Sequence, residues 1–140
     1  MNSSTKIIIC TISFISILAA VITGVIFFVK GNSTHAFIVL SIVLPNAMNM
    51  LLAVDSNTVF YKSRPSLLYV NLFTMYIYGI ILSAFIGFNA YIVYADASSN
   101  GLKFSTNVIN IIISFIAFVY GMFTIYFISY LHKIHTGTYI

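Results

Sequence analysis

Four long apolar runs, each closed by charged or polar residues, set the pattern of this chain. The first extends from Ile7 to Val29, 23 residues without a charge, between Lys6 and Lys30. The second, Ala36 to Val54, is 19 residues long and lies between His35 and Asp55. The third, Leu67 to Ala95, ends at Asp96, and the fourth, from about Val108 to Leu131, stops at His132 and Lys133. None alternates apolar and polar residues with the period of two that marks a half-buried strand. At 1.5 Å per residue, the first run covers roughly 35 Å as a helix, enough to cross a hydrocarbon core of about 30 Å with some tilt. Lipid offers no partners to open backbone groups, so spans are helices or closed barrels, and runs this long fit helices. The pattern predicts an all-α membrane protein. Its four transmembrane helices, at about 7–29, 36–54, 67–95 and 108–131, form an antiparallel bundle with short loops, and residues 1–140 make a single polytopic membrane domain.

Composition then excludes several functions. The chain is 61% hydrophobic and 6% charged, with a mean hydropathy of +1.06. A soluble domain is about a quarter charged, so a water-soluble globule is ruled out. The abundance of aromatic and β-branched residues rules out disorder. The pI near 9.3 rests on six scattered Lys and Arg, with no basic patch to follow a phosphate backbone, so nucleic acid is not an expected partner. A single cysteine, Cys10, leaves no intramolecular disulfide and no multi-cysteine metal site. Four spans consume most of the 140 residues, which leaves no room for a soluble catalytic or receptor domain.

The first run reads as an uncleaved signal anchor: only Lys6 precedes it, it exceeds the usual apolar stretch of a signal peptide, and no A-x-A site follows. Met1-Asn2 lacks the glycine that myristoylation requires. Lys6, Lys62, Arg64 and Lys133 fall on one side of the membrane, Lys30 and Lys103 on the other. The positive-inside rule therefore puts both termini in the cytoplasm. The outer connections are Lys30 to His35, a tight hairpin that makes the first two helices antiparallel neighbours, and Asp96 to about Asn107, with Ser98-Ser99-Asn100-Gly101 as a turn.

Polar and small residues within the spans are the features that could carry function. Ionisable groups are missing from the runs, which argues against proton coupling and voltage sensing. In the second span Pro45 cannot donate to the carbonyl of Ser41, so a kink is expected there. Asn46 and Asn49 share a face of that helix. Asn71 and Asn89, five turns apart, share a face of the third. Asn49 and Asn71 fall at similar depths, roughly 6–8 Å from the cytoplasmic ends. Two readings fit these amides: a polar lining of a narrow pore or ligand niche, or inter-helix hydrogen bonds worth about 0.6–2 kcal/mol each that fix packing. Packing is the commoner use, and replacing Asn49 or Asn71 by Leu would then reduce folding or assembly. Small residues recur at four-residue spacing: Ser16, Ala20 and Gly24 in the first span, Gly79, Ser83 and Gly87 in the third, Ala117 and Gly121 in the fourth. That pattern lets helix backbones approach closely. On the third helix the stripe lies roughly 80–160° from the asparagine face at 100° per residue, so this helix has two protein-facing sides.

The remaining candidates are weak. His132 and His135 are spaced to share a metal, but His35 lies in an outer loop and no third ligand is near, so helix-end histidines are the better reading. Cys10 reads as a structural cysteine rather than a palmitoylation site. The sequons Asn2-Ser3-Ser4 and Asn32-Ser33-Thr34 are chance matches, the second in a hairpin hugging the membrane. Tyr69, Tyr91, Tyr94, Tyr126 and Tyr130 lie toward span ends as an aromatic belt. No nucleophile–base pair, carboxylate pair, phosphate loop, cofactor site or metal set is present, so catalysis is not expected.

The plan of four spans, short loops and both ends inside resembles MARVEL-type tetraspan proteins in outline, without any motif specific to them, and no functional residue carries over. The leading expectation is a non-enzymatic structural or assembly subunit of a larger membrane complex or enveloped particle, whose partners are the bilayer and other membrane proteins or further copies of itself. Gly79, Ser83 and Gly87 form its contact stripe. The alternative is a small oligomeric channel or permease lined by Asn46, Asn49, Asn71 and Asn89, and a third reading is a membrane immunity or exclusion protein.

Overall fold

The structure is a computed structural model that describes residues 2–55, 66–100 and 106–137. Within them the regular structure is entirely helical: α1 (Ser3–Val29), α2 (Ser33–Ser41), α3 (Val43–Asp55), α4 (Ser66–Asn100) and α5 (Thr106–Thr136). Helices α2 and α3 together make one span, so four helical segments are long and apolar enough to cross a membrane. This is the multi-pass, all-α architecture that the apolar runs imply.

Every helix outlasts its apolar run. A charged or hydroxyl residue ends the segment that hydrocarbon favours, but it does not end the backbone ladder, which continues into the interface. Asn2 caps α1, accepting a hydrogen bond from the Ser4 backbone N–H at 3.2 Å. The expected turn beginning at Ser98 is corrected: Ser98 to Asn100 are helical, and the Ser98 hydroxyl donates to the Ala95 carbonyl at 2.8 Å. Likewise His132 and Lys133 lie within α5. Gly101, Lys103, Lys62 and Arg64 lie outside the described residues.

The first hairpin is shorter than its composition implies. Gly31 takes φ +80, the left-handed conformation that glycine tolerates best, directly after α1. Its N–H donates to Phe28 O at 3.1 Å and the Asn32 N–H to Phe27 O at 2.9 Å, the paired bonds of a Schellman stop. The turn thus needs only Lys30 to Asn32, and His35, expected in the loop, sits in the first turn of α2.

The second span is interrupted at one residue that keeps helical backbone angles, Ile42 at φ −63 and ψ −24. Ile42 separates α2 from α3, and its N–H turns to the Val39 carbonyl at 3.1 Å. The cause lies three residues on, at Pro45, which has no N–H for the Ser41 carbonyl. That carbonyl is taken instead by the Tyr78 hydroxyl of α4 at 3.2 Å, while the Ser41 hydroxyl donates to Ile38 O at 2.6 Å.

α2 and α3 pack against α1 on one side and α5 on the other, and α5 carries α4 as its main partner. The α4–α5 pair is antiparallel. Tyr69 meets His132, Tyr78 meets Gly121 and Asn89 meets Asn110, so ascent along α4 is matched by descent along α5. Large apolar side chains (Leu52, Leu68, Met75, Ile128 and Leu131) fill the core at the end where α3 stops and α4 starts. Toward the other end, the buried positions of α5 become small or polar: Thr124, Gly121, Ala117, Ser114 and Asn110. This gradation lets the helices close up where hydrogen bonds, not bulk, hold them.

Two glycines mark the tightest approaches. A Cβ at Gly121 would lie 3.0 Å from the Tyr78 ring, and one at Gly24 would lie 2.7 Å from Leu40. At Gly87 it would meet nothing within 4 Å. Gly121→Val is therefore expected to destabilise the protein by about 1–3 kcal/mol through overpacking, whereas Gly87→Ala leaves it unchanged or slightly more stable. Thermal unfolding in detergent, followed by circular dichroism, distinguishes the two.

Candidate functional site

The intramembrane polar residues fall into three separate layers. The first lines a crevice of about 480 Å³ between α1 and α5, floored by α3. Ile9, Ile12 and Ser13 form one wall, and Phe115, Ile116 and Phe123 are among the residues of the other. Asn46 and Asn49 lie at the floor, each 1% exposed. Asn46 turns its amide N–H back to the Ile42 carbonyl at 2.9 Å, supporting the carbonyl next to the break. Asn49 differs: its Oδ1 is buried with no hydrogen-bond partner. Leaving such an atom unpaired costs about 1–3 kcal/mol. Of the inter-helix hydrogen bonds expected of the span amides, Asn49 Oδ1 makes none.

The second layer surrounds the proline break. The Tyr78 hydroxyl also lies 3.4 Å from Ser41 Oγ. From the α5 side, the Thr124 hydroxyl donates to Tyr120 O at 3.0 Å and stands 3.4 Å from Pro45 O. Ser16 of α1 and Tyr120 of α5 join hydroxyls at 2.9 Å, bridging the gap above the crevice.

The third layer joins α4 to α5. Asn110 Nδ2 donates to Asn89 Oδ1 at 3.2 Å, and Asn89 Nδ2 donates to Phe85 O at 2.8 Å. Asn110 Oδ1 and Ser114 Oγ, one turn apart, are buried without partners. Asn71, half-buried near the start of α4, is 18 residues from Asn89, roughly 27 Å along the axis. The four asparagines of the alternative channel reading fall in different places within one chain: Asn46 and Asn49 border the crevice, and Asn89 is engaged at the α4–α5 seam.

The small residues also divide. Ala20, Gly24, Ala117 and Gly121 are buried and Ser16 is half-buried, all facing neighbouring helices. Gly79 is half-buried, and a Cβ there would lie 3.7 Å from the Phe118 ring, while Ser83 and Gly87 are exposed. The Ser83 hydroxyl folds back onto Gly79 O at 2.8 Å, which leaves that face of α4 free of outward hydrogen-bonding groups at this level.

Two histidines act as interior residues. His35 is 3% exposed, places Nε2 3.4 Å from the Thr106 carbonyl and rests against the Phe27 ring at 5.1 Å, so it ties α1, α2 and α5 together. His132 is buried with Nε2 3.2 Å from the Tyr69 hydroxyl. His135 has its side chain outside the described residues. Cys10 is half-buried against the apolar core.

Sequence reasoning passed over Tyr78, Tyr120, Thr124, Asn110 and Ser114. Polarity alone did not mark hydroxyls in so apolar a chain. A usable signal was present, however: Asn110, Ser114, Ala117, Gly121 and Thr124 recur at three- and four-residue intervals on one face of α5. No known protein family, characterised protein or solved structure matches the chain.

The asymmetry between the asparagines is testable. Asn89→Leu strips Asn110 of its acceptor and is expected to destabilise the fold by about 1 kcal/mol. Asn49→Leu removes an unpaired polar atom and is expected to be neutral or stabilising. Guanidinium-free thermal melts of both variants in one detergent measure the difference directly.

Proposed function

We propose that this chain is a non-enzymatic structural or assembly subunit of a larger membrane complex or enveloped particle, acting through helix contacts within the bilayer. The observation that carries this reading is the bare small-residue face of α4. Ser83 and Gly87 are exposed, and a Cβ at Gly87 would meet nothing within 4 Å. The packed side of the same helix, centred roughly 80° around from the stripe at 100° per residue, is filled by Leu68, Leu72, Met75, Tyr78 and Leu82. A helix with one packed seam and one bare small-residue stripe offers a second backbone a close approach that bulky lipid-facing residues deny. The partner is another membrane protein or a second copy.

Chemistry in the spans supports a role without catalysis. Most buried amides, hydroxyls and imidazoles hydrogen-bond within the fold, Asn49 Oδ1, Asn110 Oδ1 and Ser114 Oγ excepted, and the Tyr69 hydroxyl, 3.2 Å from His132 Nε2, ties α4 to α5. Both termini are assigned to the cytoplasm from the Lys and Arg distribution. A channel lined by Asn46, Asn49, Asn71 and Asn89 is the less favoured reading, because Asn89 is engaged with Asn110 and Phe85 at the α4–α5 seam.

Gly87→Leu and Ser83→Leu place branched bulk on the stripe without entering the α4–α5 seam. Mild-detergent extraction from the native source, followed by sizing and identification of co-migrating proteins, should give a discrete assembly for the wild type. The variants should be recovered at equal yield but with assembly reduced at least about tenfold, the equivalent of one lost contact of ~1.4 kcal/mol. Retained assembly in both variants, or a solitary wild-type chain that conducts ions in a planar bilayer, would overturn the proposal.

A further inference from the structure

The crevice between α1, α3 and α5 is left open by the chain's own packing. We propose that it binds a neutral, hydroxyl-bearing amphiphile of the bilayer, such as a long-chain alcohol. Its chain lies between Ile12 and the Phe115, Ile116 and Phe123 wall, and its hydroxyl meets the amide of Asn49.

Size and exposure favour such a ligand. A volume of about 480 Å³ falls within the roughly 300–1,000 Å³ of small-molecule sites. The walls are apolar, and Ile12 and Phe115 are 56% and 60% exposed, so the crevice opens sideways toward hydrocarbon rather than along the bundle axis. A ligand entering this way leaves lipid for a similar apolar surface and gains only what the floor supplies.

The floor supplies an unmet hydrogen bond. Asn49 is buried, borders the crevice and holds Oδ1 without a partner. Its terminal torsion is soft and two-fold, so the amide can turn either edge toward the opening. A hydroxyl is both donor and acceptor and satisfies either edge.

Charge and depth exclude the commoner lipids. No ionised residue lines the crevice, so a phosphate or carboxylate would be buried without a counter-charge. Asn49 is six residues from Asp55, about 9 Å along the helix, below the level at which charged headgroups rest. A transmembrane helix of another protein suits the site less well. Its rim is Ile and Phe, not the Gly, Ala and Ser that permit close backbone approach, and those residues are exposed on α4 instead.

The test uses the full chain in phosphatidylcholine vesicles with a diazirine-bearing hexadecanol, photo-crosslinked and mapped by mass spectrometry. Labels are expected in segments 9–13 and 115–123, displaced by 1-hexadecanol and not by hexadecane. Asn49→Leu should weaken the saturable labelling about tenfold, as for one lost hydrogen bond. Ile116→Trp, which fills the crevice without touching its floor, should abolish the labelling even if the first variant folds poorly. Val70→Ala, at an exposed position of α4 away from both the crevice and the small-residue stripe, should leave it unchanged. Labelling spread over all lipid-facing surfaces, equal displacement by hexadecane, unchanged capture in both crevice variants, or a second protein chain cross-linked in the crevice would overturn the proposal.

Discussion

A carbonyl inside a membrane must find a donor, and the Ser41 carbonyl cannot find one in its own helix. Pro45 removes the N–H that would serve it, and lipid supplies no substitute. The Tyr78 hydroxyl, from a helix 37 positions away in sequence, fills the vacancy at 3.2 Å. Much of the fold depends on that one bond. It satisfies the carbonyl that Pro45 strips at the α2–α3 interruption, adds a link from that span to α4, and sets the Tyr78 ring against α5. There the ring lies 3.0 Å from where a Cβ at position 121 would stand, so position 121 is left with room only for glycine unless the ring shifts.

The rest of the packing follows from the absence of water. Between helices in lipid, apolar burial supplies little driving force, since hydrocarbon tails are as apolar as leucine. The interior is therefore richer in hydrogen-bonding and small groups than the surface. α1 buries only Ser13, Ala20 and Gly24 while turning Ile, Val and Phe outward. α5 buries Asn110, Ser114 and Thr124, and α2 buries His35. Where these groups are paired they fix helix register, as Asn110 does with Asn89. Where they are unpaired, as at Asn49 Oδ1, they mark places the chain leaves unfinished.

The fold was largely legible in the sequence because span length and hydropathy answer to the bilayer alone. Four apolar runs gave four spanning segments, and the Ser41–Pro45 relation located the irregular one. Helix ends were less legible. Asp96, His132 and Ser98 leave hydrocarbon without leaving the helix, and the Gly31 stop compresses a six-residue loop into three, so His35 moves inside. Side-chain pairing was least legible. Asn46 and Asn49 share a helix face, yet one caps a carbonyl and the other is unpaired. Tyr78 and Tyr120 are chemically identical to the tyrosines of the aromatic belt and differ only in which helix lies opposite.

The dependence on the Ser41 carbonyl is tested most directly by a double-mutant cycle of Pro45→Ala and Tyr78→Phe, measured by thermal unfolding in a single detergent. Alanine at position 45 returns the missing N–H to the Ser41 carbonyl. Tyr78→Phe is expected to cost about 1 kcal/mol in the wild type and close to nothing beside Pro45→Ala, a coupling that only a shared carbonyl explains. Equal losses in both backgrounds would show that the tyrosine hydroxyl and the proline act independently, and would contradict the account.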